Sequence, residues 1–138
     1  MGRSVSLVAV LLAFVAPAAG GCGATDDVRG PAAVSAAADQ VYGRFVELPR
    51  YPRSEPTGPA TSSSSGLTRA FRAADASADT VLEFYVDALV GWTVVEAPRP
   101  DDAGALRARW SDGAYRLTIT AADVGGGVAE FRVVLSKP

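Results

Sequence analysis

From Leu106 to Ser136 apolar and polar residues trade places at nearly every step, and this alternation restricts the fold more than any other feature of the chain. Leu106, Ala108 and Trp110 are interleaved with Arg107 and Arg109. Tyr115, Leu117, Ile119 and Ala121 are interleaved with Arg116, Thr118 and Thr120, and Ala129, Phe131, Val133 and Leu135 with Glu130 and Arg132. A period of two marks a strand with one buried face. Asp112-Gly113 predicts a two-residue hairpin turn between the first two segments, and Gly125–Gly127 a loop before the third. A sheet of this kind needs a second layer over its apolar side.

The stretch Ala76–Trp92, ASADTVLEFYVDALVGW, predicts the helix that supplies that layer. Ser77 is a capping residue, Asp79 suits the positive end of the helix dipole, and Gly91 stops the helix. Val81, Leu82, Tyr85, Ala88 and Leu89 share one face. Asp79, Glu83 and Asp87 line the other and read as a solvated surface, not as a cation site. Leu67–Ala74 reads as a strand before the helix and Trp92–Ala97 as one after it, followed by a loop through Arg99–Asp102. Upstream, Pro49, Pro52, Pro56 and Pro59 predict an extended surface segment bordered by short strands, with Phe45 and Tyr51 pinning it to the core. Ser62–Gly66 reads as a loop. The expectation is a two-layer α+β domain over residues 41–138. It has one helix packed on an antiparallel sheet of four to five strands, in the order β-α-β-β-β.

The N-terminus points to an address. Residues 1–21 read as a secretory leader: a short start with Arg3, an apolar run from Val5 to Val15, then Pro17 and small residues. The apolar run is shorter than the roughly 20 residues of a spanning helix. The only cysteine follows at once. Ala19-Gly20-Gly21-Cys22 resembles the lipobox of bacterial lipoproteins, with Ala19 where Leu is usual. The resemblance implies a diacylglyceryl thioether on Cys22, which becomes the first residue of the mature protein. It also implies anchorage to the cell membrane on its extracytoplasmic face. Residues 22–40, rich in Ala, Gly, Asp, Thr and Ser, read as a flexible tether in which Ala32–Gln40 could form a turn or two of helix. The alternative is a secreted, unanchored module that binds a small ligand or an envelope polymer.

A second resemblance covers about half the chain. Leu48, Pro49, Tyr51, Pro52, Phe84, Tyr85, Leu89, Gly91 and Trp92 match an LPxYP…FYxxxL…GW pattern. That pattern is similar to a module of uncharacterised bacterial secreted proteins and lipoproteins. Arg53 stands where the pattern usually has Gly, and Val90 alone separates Leu89 from Gly91. The resemblance implies a fold and no catalytic residues.

Composition excludes several chemistries. The chain has no histidine, so the side chain that titrates nearest neutrality is missing, as is the commonest metal ligand. One cysteine allows neither an intramolecular disulfide nor a Cys/His zinc site. No base accompanies the serines, Asp101, Asp102 and Asp112 sit in turn sequences, and VGGGV lacks the residues of a phosphate loop. The expectation is a non-enzymatic protein with no catalytic residues, no metal and no cofactor. From Cys22 onward 12 basic residues face 15 acidic ones, a balance that does not suit nucleic acid. One cluster points to a partner. A two-residue Asp112-Gly113 turn would put Arg109 opposite Arg116, with Arg107 beside them and Arg132 on the next strand. These four form a candidate anion-binding face for lipid head groups, an envelope polymer or an acidic protein. The plainer reading is that glutamates and water screen them.

Overall fold

The computed structural model describes residues 31–138, with side chains from Ala36 onward. The leader, Cys22 and residues 22–30 of the expected tether lie outside the described residues.

The described residues are α+β, with two helices and a seven-stranded antiparallel sheet. Helix α1 (Pro31–Val46) leads into two short strands, β1 (Ser54–Pro56) and β2 (Thr61–Ser63). Strand β3 (Gly66–Ala74) and helix α2 (Ala78–Ala88) follow, then β4 (Thr93–Pro100), β5 (Leu106–Ser111), β6 (Arg116–Gly125) and β7 (Val128–Ser136). In space the order is β1-β3-β7-β6-β5-β4, with β2 also paired to β3. The last strand in sequence therefore sits at the centre of the sheet.

The alternation lands as its period requires. Leu67, Phe71 and Ala73 of β3 share one face with Ala129, Phe131, Val133 and Leu135 of β7. Leu117, Ile119 and Ala121 of β6 and Ala108 and Trp110 of β5 continue that face. All are buried, and both helices cover them: Val41 and Phe45 from α1, and Val81, Leu82 and Tyr85 from α2 with its C-cap Leu89. Tyr51 packs its ring edge-on against Phe84 and Phe131, with centroids 5.4 and 6.2 Å apart, while Phe71 stacks on Phe131 at 5.3 Å. The proline-rich segment is pinned where the sequence predicts.

Helix α2 starts on a capping box. The Ser77 hydroxyl accepts from the Thr80 amide, and the Thr80 hydroxyl accepts from the Ser77 amide. Asp123 of β6 accepts from the Ala78 amide at 2.7 Å, tying the start of the helix to the end of the sheet. Gly91, at φ +82°, closes the far end.

Four expectations need correction. The described residues hold two helices, because residues 31–40, read as tether, are the first ten residues of α1. Alanine has the highest helix propensity, and Val41 and Phe45, four apart, bury one stripe. There are seven strands and not four or five: β1 and β2, three residues each, both pair with the outer edge of β3, and β2 takes in Ser62 and Ser63 of the expected loop. Strand β4 runs to Pro100, three residues further than expected, and keeps pairing only through two register shifts. The β5–β6 connection is the fourth. Ser111 pairs with Arg116, so four residues separate the strands where a two-residue turn was expected. Asp112 Oδ1 accepts from the amides of Ala114 and Tyr115 at 2.9 and 2.7 Å, building a side-chain-capped loop in place of a tight turn.

Arg53 has φ +58°, a left-handed conformation that costs a side chain about 1–2 kcal/mol and glycine little. It follows Pro52 in a turn closed by the Ser54 amide donating to the Tyr51 carbonyl at 3.2 Å. This is the position at which the LPxYP pattern usually carries glycine.

Candidate functional site

The face of the sheet away from the helices carries the arginines named from the sequence. Register fixes their neighbours. Arg107 pairs with Thr120, Thr120 with Arg132, and Arg132 with Ala70, so these side chains form one row across four strands. Arg109 lies opposite Thr118, not opposite Arg116; the longer loop shifts the pairing by two residues. Arg116 lies between Ser111 and Ser136 at one end of the sheet. The four arginines share a face but form no single cluster, and the direct Arg109–Arg116 repulsion anticipated from the sequence is relieved.

Two β-bulges bring in a carboxylate. Val94 pairs with Trp110, Glu96 with Arg109 and Arg99 with Arg107, so each step along β4 carries one extra residue. The bulges turn Glu96 and Arg99 onto the open face. Glu96 accepts from Arg109 Nε at 3.2 Å and Arg107 Nη2 at 3.5 Å, and Arg99 Nε donates to the same carboxylate. Partial desolvation works to raise the Glu96 carboxyl, but the Arg99 hydrogen bond and the charges of Arg99, Arg109 and Arg107 outweigh it and hold the group below its ordinary value. One carboxylate thus serves three guanidinium groups. Arg107 Nε is buried with no hydrogen-bond partner.

The remaining arginines are less compensated. Among the described residues neither Arg116 nor Arg132 makes an ion pair. Arg132 borders a shallow hollow of about 390 Å³, with Thr57, Asp101 and Glu130 around it. Arg72 lies on the same face between Glu55 and Glu130. Six arginines (72, 99, 107, 109, 116 and 132) therefore meet four carboxylates (Glu55, Glu96, Asp101 and Glu130) on one surface. The chain as a whole carries a net charge of −2. The open face has the opposite sign to the molecule that bears it.

Glu96, Arg99 and Arg72 were not singled out from the sequence. The alternation in β3 places Arg72 with the polar set, but no period of two could place Glu96 and Arg99, because the bulges interrupt it. The arrangement can hold anionic oxygens through forked guanidinium donors. Comparisons of the chain with protein-family models, with curated proteins and with solved structures find no match.

Proposed function

We propose that the protein is a membrane-anchored envelope lipoprotein. Its domain is a non-enzymatic binding or scaffolding module on the outer side of the cytoplasmic membrane. The open face docks a negatively charged envelope component, polymer or protein. The observation that carries this reading is the charge reversal on that face: six arginines against four carboxylates on an acidic chain. The lipobox-like Ala19-Gly20-Gly21-Cys22 supports the anchor, and the position of α1 supports the orientation. Helix α1 lies in the helical layer and is the element that follows the anchor in sequence, so the chain enters the domain behind the arginine face. A face turned away from the attachment side suits a component of the envelope better than head groups of the same bilayer. The unanchored alternative keeps the same face and loses only the lipid.

Two measurements test the reading. Mass spectrometry of the mature N-terminus should find a diacylglyceryl group on Cys22; a free thiol there removes the anchor. Long-chain polyphosphate should bind the protein with a steep salt dependence, and replacing Arg107, Arg109 and Arg116 together by Ser should abolish that binding while the domain stays folded. Wild-type binding by the triple variant would remove the docking face.

A further inference from the structure

A second site lies on the other side of the sheet, and it does not rest on the arginine face. In β3 the buried set Leu67, Phe71 and Ala73 includes a fourth position of the same parity, and it is occupied by Arg69. Arg69 pairs across the sheet with Val133 and points into a cavity of about 310 Å³ between α1, β3 and the proline-rich segment. Arg50 reaches the same cavity from that segment. The guanidinium carbons of Arg50 and Arg69 lie 5.7 and 5.8 Å from the centroid of one ring, that of Phe71. Two cations share one aromatic surface. Among the described residues no acidic side chain lines the cavity, and neither arginine makes an ion pair. Arg69 Nε is buried without any hydrogen-bond partner.

The rest of the lining is apolar, with Phe45 and Leu48 as walls; Tyr42 and Val46, 55% and 62% exposed, stand at its edge. Tyr85 adds a phenol. Burial pushes that phenol up to about 12, against the opposing pull of the Tyr51 backbone and the Arg50 charge, so it stays protonated at neutral pH. Arg44, in the last turn of α1, by contrast pairs with both Glu47 and Asp112. A buried guanidinium donor facing an apolar hollow calls for an anion from outside.

The geometry points to a binding site for a small amphiphilic monocarboxylate. Its carboxylate would sit between Arg50 and Arg69, and its short acyl or arylalkyl body against Phe45, Leu48 and Phe71. The volume lies at the lower end of small-molecule sites, which suits a chain of several carbons and excludes a whole phospholipid.

Calorimetric titration of the purified full-length chain with octanoate tests the site, with acetate and inorganic phosphate as head-group controls. Octanoate should bind with a dissociation constant below about 1 mM, and both controls at least about tenfold more weakly. Arg69→Met keeps the stem and removes the charge, and should weaken octanoate about tenfold. Ala60→Leu, which narrows the cavity and leaves both arginines in place, should weaken it similarly; it keeps the test valid should the Arg69 variant unfold. The triple Arg107, Arg109 and Arg116 variant should bind octanoate as the wild type does. Absence of octanoate binding in the millimolar range, acetate or phosphate binding as tightly as octanoate, or full affinity in folded Arg69→Met or Ala60→Leu would each overturn the assignment.

Discussion

The C-terminal strands β5–β7 and the N-terminal segment from α1 to β2 are held to the same core in different ways. In the strands Ala108, Trp110, Leu117, Ile119, Ala121, Ala129, Phe131, Val133 and Leu135 are buried in alternation, and each strand is paired along both edges. Stability there is spread over many similar contacts. The N-terminal segment touches the core at separate points: Val41 and Phe45, the Tyr51 ring between Phe84 and Phe131, and Arg44 on Asp112. Its strands pair over three residues each, and prolines interrupt it. Periodic burial makes a framework; point contacts make an attachment that can be tuned one residue at a time.

The largest test of that contrast is in the framework. Leu117 is fully buried, and Leu117→Ala should cost about 3 kcal/mol in chemical denaturation. Its neighbour Thr118, on the open face, should tolerate Ala within about 0.5 kcal/mol. Comparable losses at the two positions would contradict one-sided burial of the sheet.

A smaller effect is expected where the two regions meet. Arg44 donates to Asp112 at 2.9 Å and lies 5.4 Å from the Trp92 ring centroid, so it links α1 to the β5–β6 loop. Burial works to raise the Asp112 carboxyl, but the Tyr115 amide, Arg44 and the Ala114 amide outweigh it and hold the group below its ordinary value. A proton therefore binds the unfolded chain more readily than the folded one. The contribution of Asp112 is complete above the ordinary value of 3.8 and is lost as pH falls through the lower folded-state value. Asp112→Asn should flatten the acid limb of the stability profile and leave its slope near neutrality unchanged. A profile identical to that of the wild type would show that the pair does not fasten the regions.

The smallest effect is a gain. Arg53→Gly should relieve the left-handed backbone and stabilise the domain by about 0.5 kcal/mol, read as a rise in melting temperature. Destabilisation would mean that the Arg53 side chain contributes more than its backbone costs.

The same contrast explains which parts of the fold could be read from residues alone. Leu106–Ser136 and Ala76–Gly91 carry their periods openly, and the burial of Trp110, Ile119, Leu82 and Tyr85 follows. Helix α1 is obscured by a run of alanines that gives little amphipathic signal, and β1 and β2 are too short to show a period. At the candidate face, Arg107, Arg109, Arg116 and Arg132 were legible as one side of a sheet. Their neighbours were not, because Asp112 lengthens a loop that Asp-Gly would otherwise shorten, and two bulges turn Glu96 and Arg99 inward over the face. Arg69 was legible only as a charge at an apolar parity, a signal that gains meaning once α1 is known to lie over it.

The early start of α1 sets a length. With the helix beginning at Pro31, nine residues (22–30) separate it from the point at which the proposed acyl group is attached, where a tether ending at residue 40 would have supplied nineteen. Even drawn straight, nine residues reach about 30 Å. Under the proposed anchorage, that length would hold the domain in a shell close to the bilayer, where its encounters with other molecules of that layer would be governed by reach and not by bulk concentration.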